Sequence, residues 1–116
     1  MPHFKDLAPG IMRQRLVIEG YPDFVIRDAH IKKYLSELSD VVQMRALIDP
    51  ITNKSNEFGW AGWIHWETSG AHFYAWEHPR LFFGVDIYTC KSFDPQVAVA
   101  FTESSFRAKT MVHESF

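Results

Sequence analysis

The chain has 116 residues, 47% of them hydrophobic and 16% aromatic, so it is long enough for one domain (residues 1–116) and too apolar for a disordered one. Its formal net charge is -2, and Lys32-Lys33 is its only adjacent basic pair, which excludes the clustered cations that nucleic acid or an anionic membrane would require.

Pro2, Pro9 and Gly10 interrupt any period, so residues 1–11 read as an irregular arm. That arm has neither the apolar run of a signal peptide nor the length of a membrane span, and the single cysteine cannot form an internal disulfide. A cytoplasmic protein is expected. Gln14–Glu19 alternates as a strand, with Leu16 and Ile18 on one side and Arg15, Val17 and Glu19 on the other. Asp28 is positioned as an N-cap, and Ile31, Tyr34, Leu35 and Leu38 fall on one helical stripe, predicting a helix over 28–39. Val41–Ile48 reads as a second strand, after which Asp49-Pro50 and Asn53–Glu57 form a polar loop. Trp60–Glu67, Ala71–Trp76 and Leu81–Thr89 read as three more strands on short connections, which favour antiparallel neighbours. Asp94-Pro95 starts a helix to about Phe106 that buries Val97, Ala98 and Phe101, and Ala108–His113 closes as a last strand. This order predicts an α+β fold, a two-layer sandwich with an antiparallel sheet and two helices on one face.

Chemistry concentrates between Gly59 and Asp94. The pair Gly59 and Gly62, then Ser69, then Val85-Asp86-Ile87-Tyr88-Thr89-Cys90-Lys91 resemble the core of the small prokaryotic S-adenosylmethionine decarboxylase proenzymes. Members of that family read G-x-x-G, then E-S-H, then [VI]-D-[VI]-[FY]-[ST]-C. The resemblance implies the same sandwich and a cleavage site between Thr68 and Ser69, with Ser69 attacking the preceding carbonyl and becoming a pyruvoyl group. Such a ketone captures a substrate amine and acts as an electron sink when CO2 leaves. Cys90 matches the family cysteine that returns a proton to the substrate's α-carbon. The family's Glu-Ser-His is here Thr68-Ser69-Gly70, its processing histidine is Tyr74, and its assisting serine or threonine is Ala61. With those proton-handling groups replaced, slow self-cleavage or none is expected, and His72, on the same strand as Tyr74, is a candidate substitute.

A sulfonium and an adenine ring call for aromatic faces, and an amine or ribose calls for a carboxylate. Trp66, Phe73 and Trp76 with Glu67 are therefore candidate substrate contacts, among a wider set of Trp60, Trp63 and Glu77. His65, Glu67, His72 and His78 lack a recognised metal spacing, and no metal is expected. The expected partners are a small-molecule substrate, S-adenosylmethionine or an amino acid, and a second copy of the chain, since family members pair through their sheets. The alternative is an unprocessed paralogue that keeps the pocket as a small-molecule-binding or regulatory subunit. On either reading, Ser69 and Cys90 are expected to meet at a hairpin junction beside an aromatic-walled cavity.

Overall fold

A computed structural model describes residues 5–116. Its elements are β1 (Gln14–Tyr21), α1 (Asp28–Val41), β2 (Ile51–Ser55), β3 (Gly59–Trp66), β4 (Ser69–Trp76), β5 (Phe82–Thr89), α2 (Pro95–Phe106) and β6 (Thr110–Ser115). The strands form one antiparallel sheet in the order β2-β3-β4-β5-β1-β6, and α1 and α2 pack on one face of it, the two-layer sandwich expected. Of the arm expected over residues 1–11, residues 1–4 lie outside the described part, and residues 5–11 contain no helix or strand.

Strand parity decides which side chains meet the helices. Leu16 and Ile18, Ile64 and Trp66, Phe73, and Val85 and Ile87 are all buried on the helix side. The stripe Ile31, Tyr34, Leu35 and Leu38 of α1 closes over them. At the centre, the rings of Phe73, Phe83 and Phe106 meet at centroid separations of 5.8, 5.0 and 4.9 Å. Burying each contributes roughly 1.5–3 kcal/mol. Tyr34 joins the cluster, with its hydroxyl 2.7 Å from Thr102 Oγ1. Because the Thr102 hydroxyl donates to the Ala98 carbonyl at 2.7 Å, the Tyr34 hydroxyl is the donor to Thr102.

Four local expectations are corrected. The apolar run from Val41 does not form a strand: Val41 ends α1, Val42 and Met44 bury beneath it, and Gln43 between them takes a left-handed φ of 58°. Only Ala46 bridges to the sheet, opposite Trp66. The edge strand comes instead from Ile51–Ser55, where mostly polar residues pair with β3 through the backbone ladder. Asp28 lies inside α1 rather than at its cap, because the His30 imidazole Nδ1 accepts the Arg27 N–H at 2.9 Å and moves the cap to Arg27. In α2, Asp94 caps as expected, its carboxylate accepting from the Gln96 N–H at 2.9 Å, and Ala98 is buried. Val97, however, points outward and is 44% exposed, one position off the stripe formed by Ala98, Thr102 and Phe106.

Candidate active site

The β3–β4 hairpin turns through Glu67-Thr68 and closes on the pair Trp66 and Ser69, so β4 begins at Ser69. On its other side β4 pairs with β5, with Ser69 opposite Thr89. Continuing that antiparallel register one step places Cys90 across from Thr68. The Cys90 backbone N–H makes two contacts there, donating to the Thr68 carbonyl oxygen at 3.1 Å and to Ser69 Oγ at 3.3 Å. The carbonyl that precedes the serine and the serine hydroxyl thus share one backbone donor.

Ser69 Oγ also lies 3.0 Å from Thr68 Oγ1 and 3.9 Å from Met44 Sδ. Among the described residues, no imidazole or carboxylate is within hydrogen-bond distance of it. The side chain sits at the sheet's end on the helix-side parity, half-buried, and the residue borders a depression of about 370 Å³ on the opposite, open face. Arg15, His65, Gly70, His72, Asp86 and Tyr88 form the rest of that depression. Arg15 and Asp86 make a bidentate ion pair at 3.0 and 2.8 Å, and Asp86 raises the pKa of the guanidinium by accepting from it. The Trp63 ring meets both imidazoles, at 4.3 Å from His65 and 6.3 Å from His72. No three of His, Cys, Asp and Glu converge among the described residues.

The residues singled out in the sequence divide by parity. His72 shares the depression with Ser69, whereas Tyr74 does not. Five residues along a regular strand span about 16 Å and reverse the side-chain face, so Tyr74 cannot touch the Ser69 hydroxyl of its own chain. Instead Tyr74 pairs directly with Ala61 and lines an aromatic cleft of about 310 Å³ with Phe58 and Trp76, whose rings are 5.0 Å apart. Trp66 and Phe73 belong to the core: the Trp66 indole donates to Ser39 Oγ at 2.7 Å, and Phe73 is fully buried. Trp60 packs against the core as well, with an indole nitrogen that has no partner among the described residues. Glu67 is exposed in the hairpin turn, 3.6 Å from Arg45. Cys90 is a half-buried free thiol.

Sequence reasoning did not single out Arg15 or Met44, and it treated Asp86 and Tyr88 only as parts of a motif. The alternation Arg15-x-Val17 and Asp86-x-Tyr88 already marked the open side; what was missing was the β1–β5 register that sets Arg15 beside Tyr88 and Asp86.

The family model described as S-adenosylmethionine decarboxylase matches residues 17–116. The chain belongs to the S-adenosylmethionine decarboxylase family. A solved structure, the adenosylmethionine decarboxylase from Aquifex aeolicus, superposes with a TM-score of 0.73 at 17% identity, covering 91% of this chain and 89% of that one. At that identity it bears on the fold alone. None of the curated proteins matches the sequence. Decarboxylases of this family are pyruvoyl-dependent in general, and no helix among the described residues is long and apolar enough to cross a membrane.

Proposed function

We propose that the chain is a slowly self-cleaving proenzyme, cut between Thr68 and Ser69, that decarboxylates an amine-bearing substrate of the S-adenosylmethionine type. The observation that carries this reading is the Cys90 N–H held against both the Thr68 carbonyl oxygen and Ser69 Oγ. Attack of Ser69 Oγ on the Thr68 carbonyl carbon closes a five-membered ring and places negative charge on the Thr68 oxygen, where the donor already stands at 3.1 Å. One such donor is typically worth about 3 kcal/mol of barrier. The C–N bond then breaks, with the nitrogen taking up a proton, to leave an ester. Loss of the Ser69 α-proton expels the Thr68 carboxylate, and addition of water with release of ammonia leaves a ketone at residue 69.

The position would fit that group: Ser69 borders the depression, and the Cys90 N–H stands 3.3 Å from its hydroxyl. A pyruvoyl ketone supplies the electron sink for loss of CO2. Around it, Arg15 and Asp86 present fixed charges to the substrate. By the family motif, the Cys90 thiol is assigned the return of a proton to the α-carbon, although Cys90 does not line the depression. The aromatic cleft with Trp76 lies seven residues along β4 from Ser69, about 23 Å away, beyond the reach of one small substrate. This separation supports a homodimer in which two open faces meet and each cleft, with its Tyr74 and Ala61, serves the partner's Ser69.

A second reading is supported by a separate observation. Ala61 and Tyr74, standing where the family carries its processing groups, face each other across β3 and β4 with neither a hydroxyl nor an imidazole at the first position and a phenol at the second. On that reading the chain stays whole and binds a small molecule as a regulatory subunit. Release of labelled CO2 from carboxyl-labelled S-adenosylmethionine, lost in Ser69→Ala, is the expected result. Saturable binding of the same compound with no CO2 release would select the second reading instead.

A further inference from the structure

The segment after β5 carries Cys90 away from the sheet toward α2, and both of its ends are tied to one residue of β1. Gln14 pairs with Thr89 in the β1–β5 ladder, and its carbonyl accepts from the buried Thr89 hydroxyl at 3.3 Å. Its side-chain amide then takes the other end: Nε2 donates to the Phe93 carbonyl at 2.9 Å while Oε1 accepts from the Phe93 N–H at 3.2 Å. The amide completes, through a side chain, the two-way pairing that a strand neighbour would give. Phe93 itself is buried, so the contact is anchored on both sides. Between these ties the Cys90 N–H meets Thr68 and Ser69, and Lys91 Nζ donates to the Gln43 carbonyl at 3.5 Å, exposed.

We infer that Gln14 is a positioning residue whose amide holds the Cys90–Phe93 segment in place, and with it the Cys90 N–H over Thr68 and Ser69. The chemistry explains the residue type. The site needs a donor and an acceptor at once on a four-atom reach, which a glutamate at neutral pH, a lysine or an alanine cannot supply. The inference rests on the reading of Ser69 and Cys90 as the reacting pair, but the holding action is measurable without it.

Because Cys90 is the only cysteine, iodoacetamide labelling of the native full-length protein, followed by mass, reports on this segment alone. Removing the amide, in Gln14→Ala or the nearly isosteric Gln14→Glu, should accelerate labelling by about tenfold through local opening. Tyr34→Phe, a destabilised control on the helix side, should label at the wild-type rate. If the chain cleaves itself, both Gln14 variants should also slow Thr68–Ser69 cleavage. Labelling of Gln14→Glu at the wild-type rate overturns the inference, as does equal acceleration in Tyr34→Phe. Absence of cleavage in the wild type with accelerated labelling in the Gln14 variants leaves the clamp standing and removes only the proenzyme reading.

Discussion

On the helix side of the sheet, Phe73 and Phe83 stack at 5.8 Å and both meet Phe106, with no water-facing edge. On the open side, Trp63, His72 and Tyr74 run along the strands at 6.3 and 6.5 Å; His72 and Tyr74 stay exposed, His72 beside the Arg15–Asp86 pair. Both sides are rich in aromatics, and both alternate with a period of two. Residue type therefore does not separate packing from chemistry here. What separates them is which face the helices cover, and the open face is left with the titratable groups and the two concavities next to β4.

The sharpest way to test that division is to remove its central ring. Phe106→Ala should cost about 3–5 kcal/mol in denaturant unfolding, because Tyr34, Phe73 and Phe83 all lose a neighbour around a cavity that cannot collapse. A loss comparable to that of an open-face substitution would dissolve the distinction. Next in size is Tyr34→Phe, which should cost about 1 kcal/mol by removing the donor to Thr102. Burial pushes the Tyr34 phenol well above its ordinary pKa. The folded state therefore holds this proton more tightly than the unfolded chain. Its contribution is complete below about pH 10 and lost as pH rises toward the folded value. Unfolding measured above pH 10 should show a downward slope that is shallower in Tyr34→Phe.

The smallest effect belongs to the open face. Asp86→Asn breaks a bidentate pair whose partners are 35% and 39% exposed, so stability should fall by no more than about 1 kcal/mol and less at high salt. If the account is right, the same substitution should weaken substrate turnover far more than it weakens the fold. A loss of several kcal/mol with turnover intact would reverse the roles assigned to the two faces.

Much of this was legible in the residues. The alternation along Gln14–Glu19, the stripe of α1 and the Asp94-Pro95 start of α2 are local signals, and each produced its element. β2 was not legible because an exposed edge strand is held by backbone pairing to β3 and needs no apolar alternation, as Ile51–Ser55 illustrates. The run at Val41–Met44 misled for the opposite reason: its apolar side chains satisfy burial at a helix end, which composition cannot distinguish from a strand. In the site, Ser69 and Cys90 were legible as a motif, but the contact that joins them is made by a backbone N–H, which no side-chain pattern encodes. Trp66 and Phe73 read like Trp76 in sequence, yet only the long-range placement of α1 and α2 assigns the first two to the core.

Self-cleavage would break one peptide bond, Thr68–Ser69, and mass analysis under denaturing conditions over a long incubation reads that bond directly. Fragments corresponding to residues 1–68 and 69–116 should accumulate slowly in the wild type and not in Ser69→Ala. A single full-length species that persists in the wild type would contradict it.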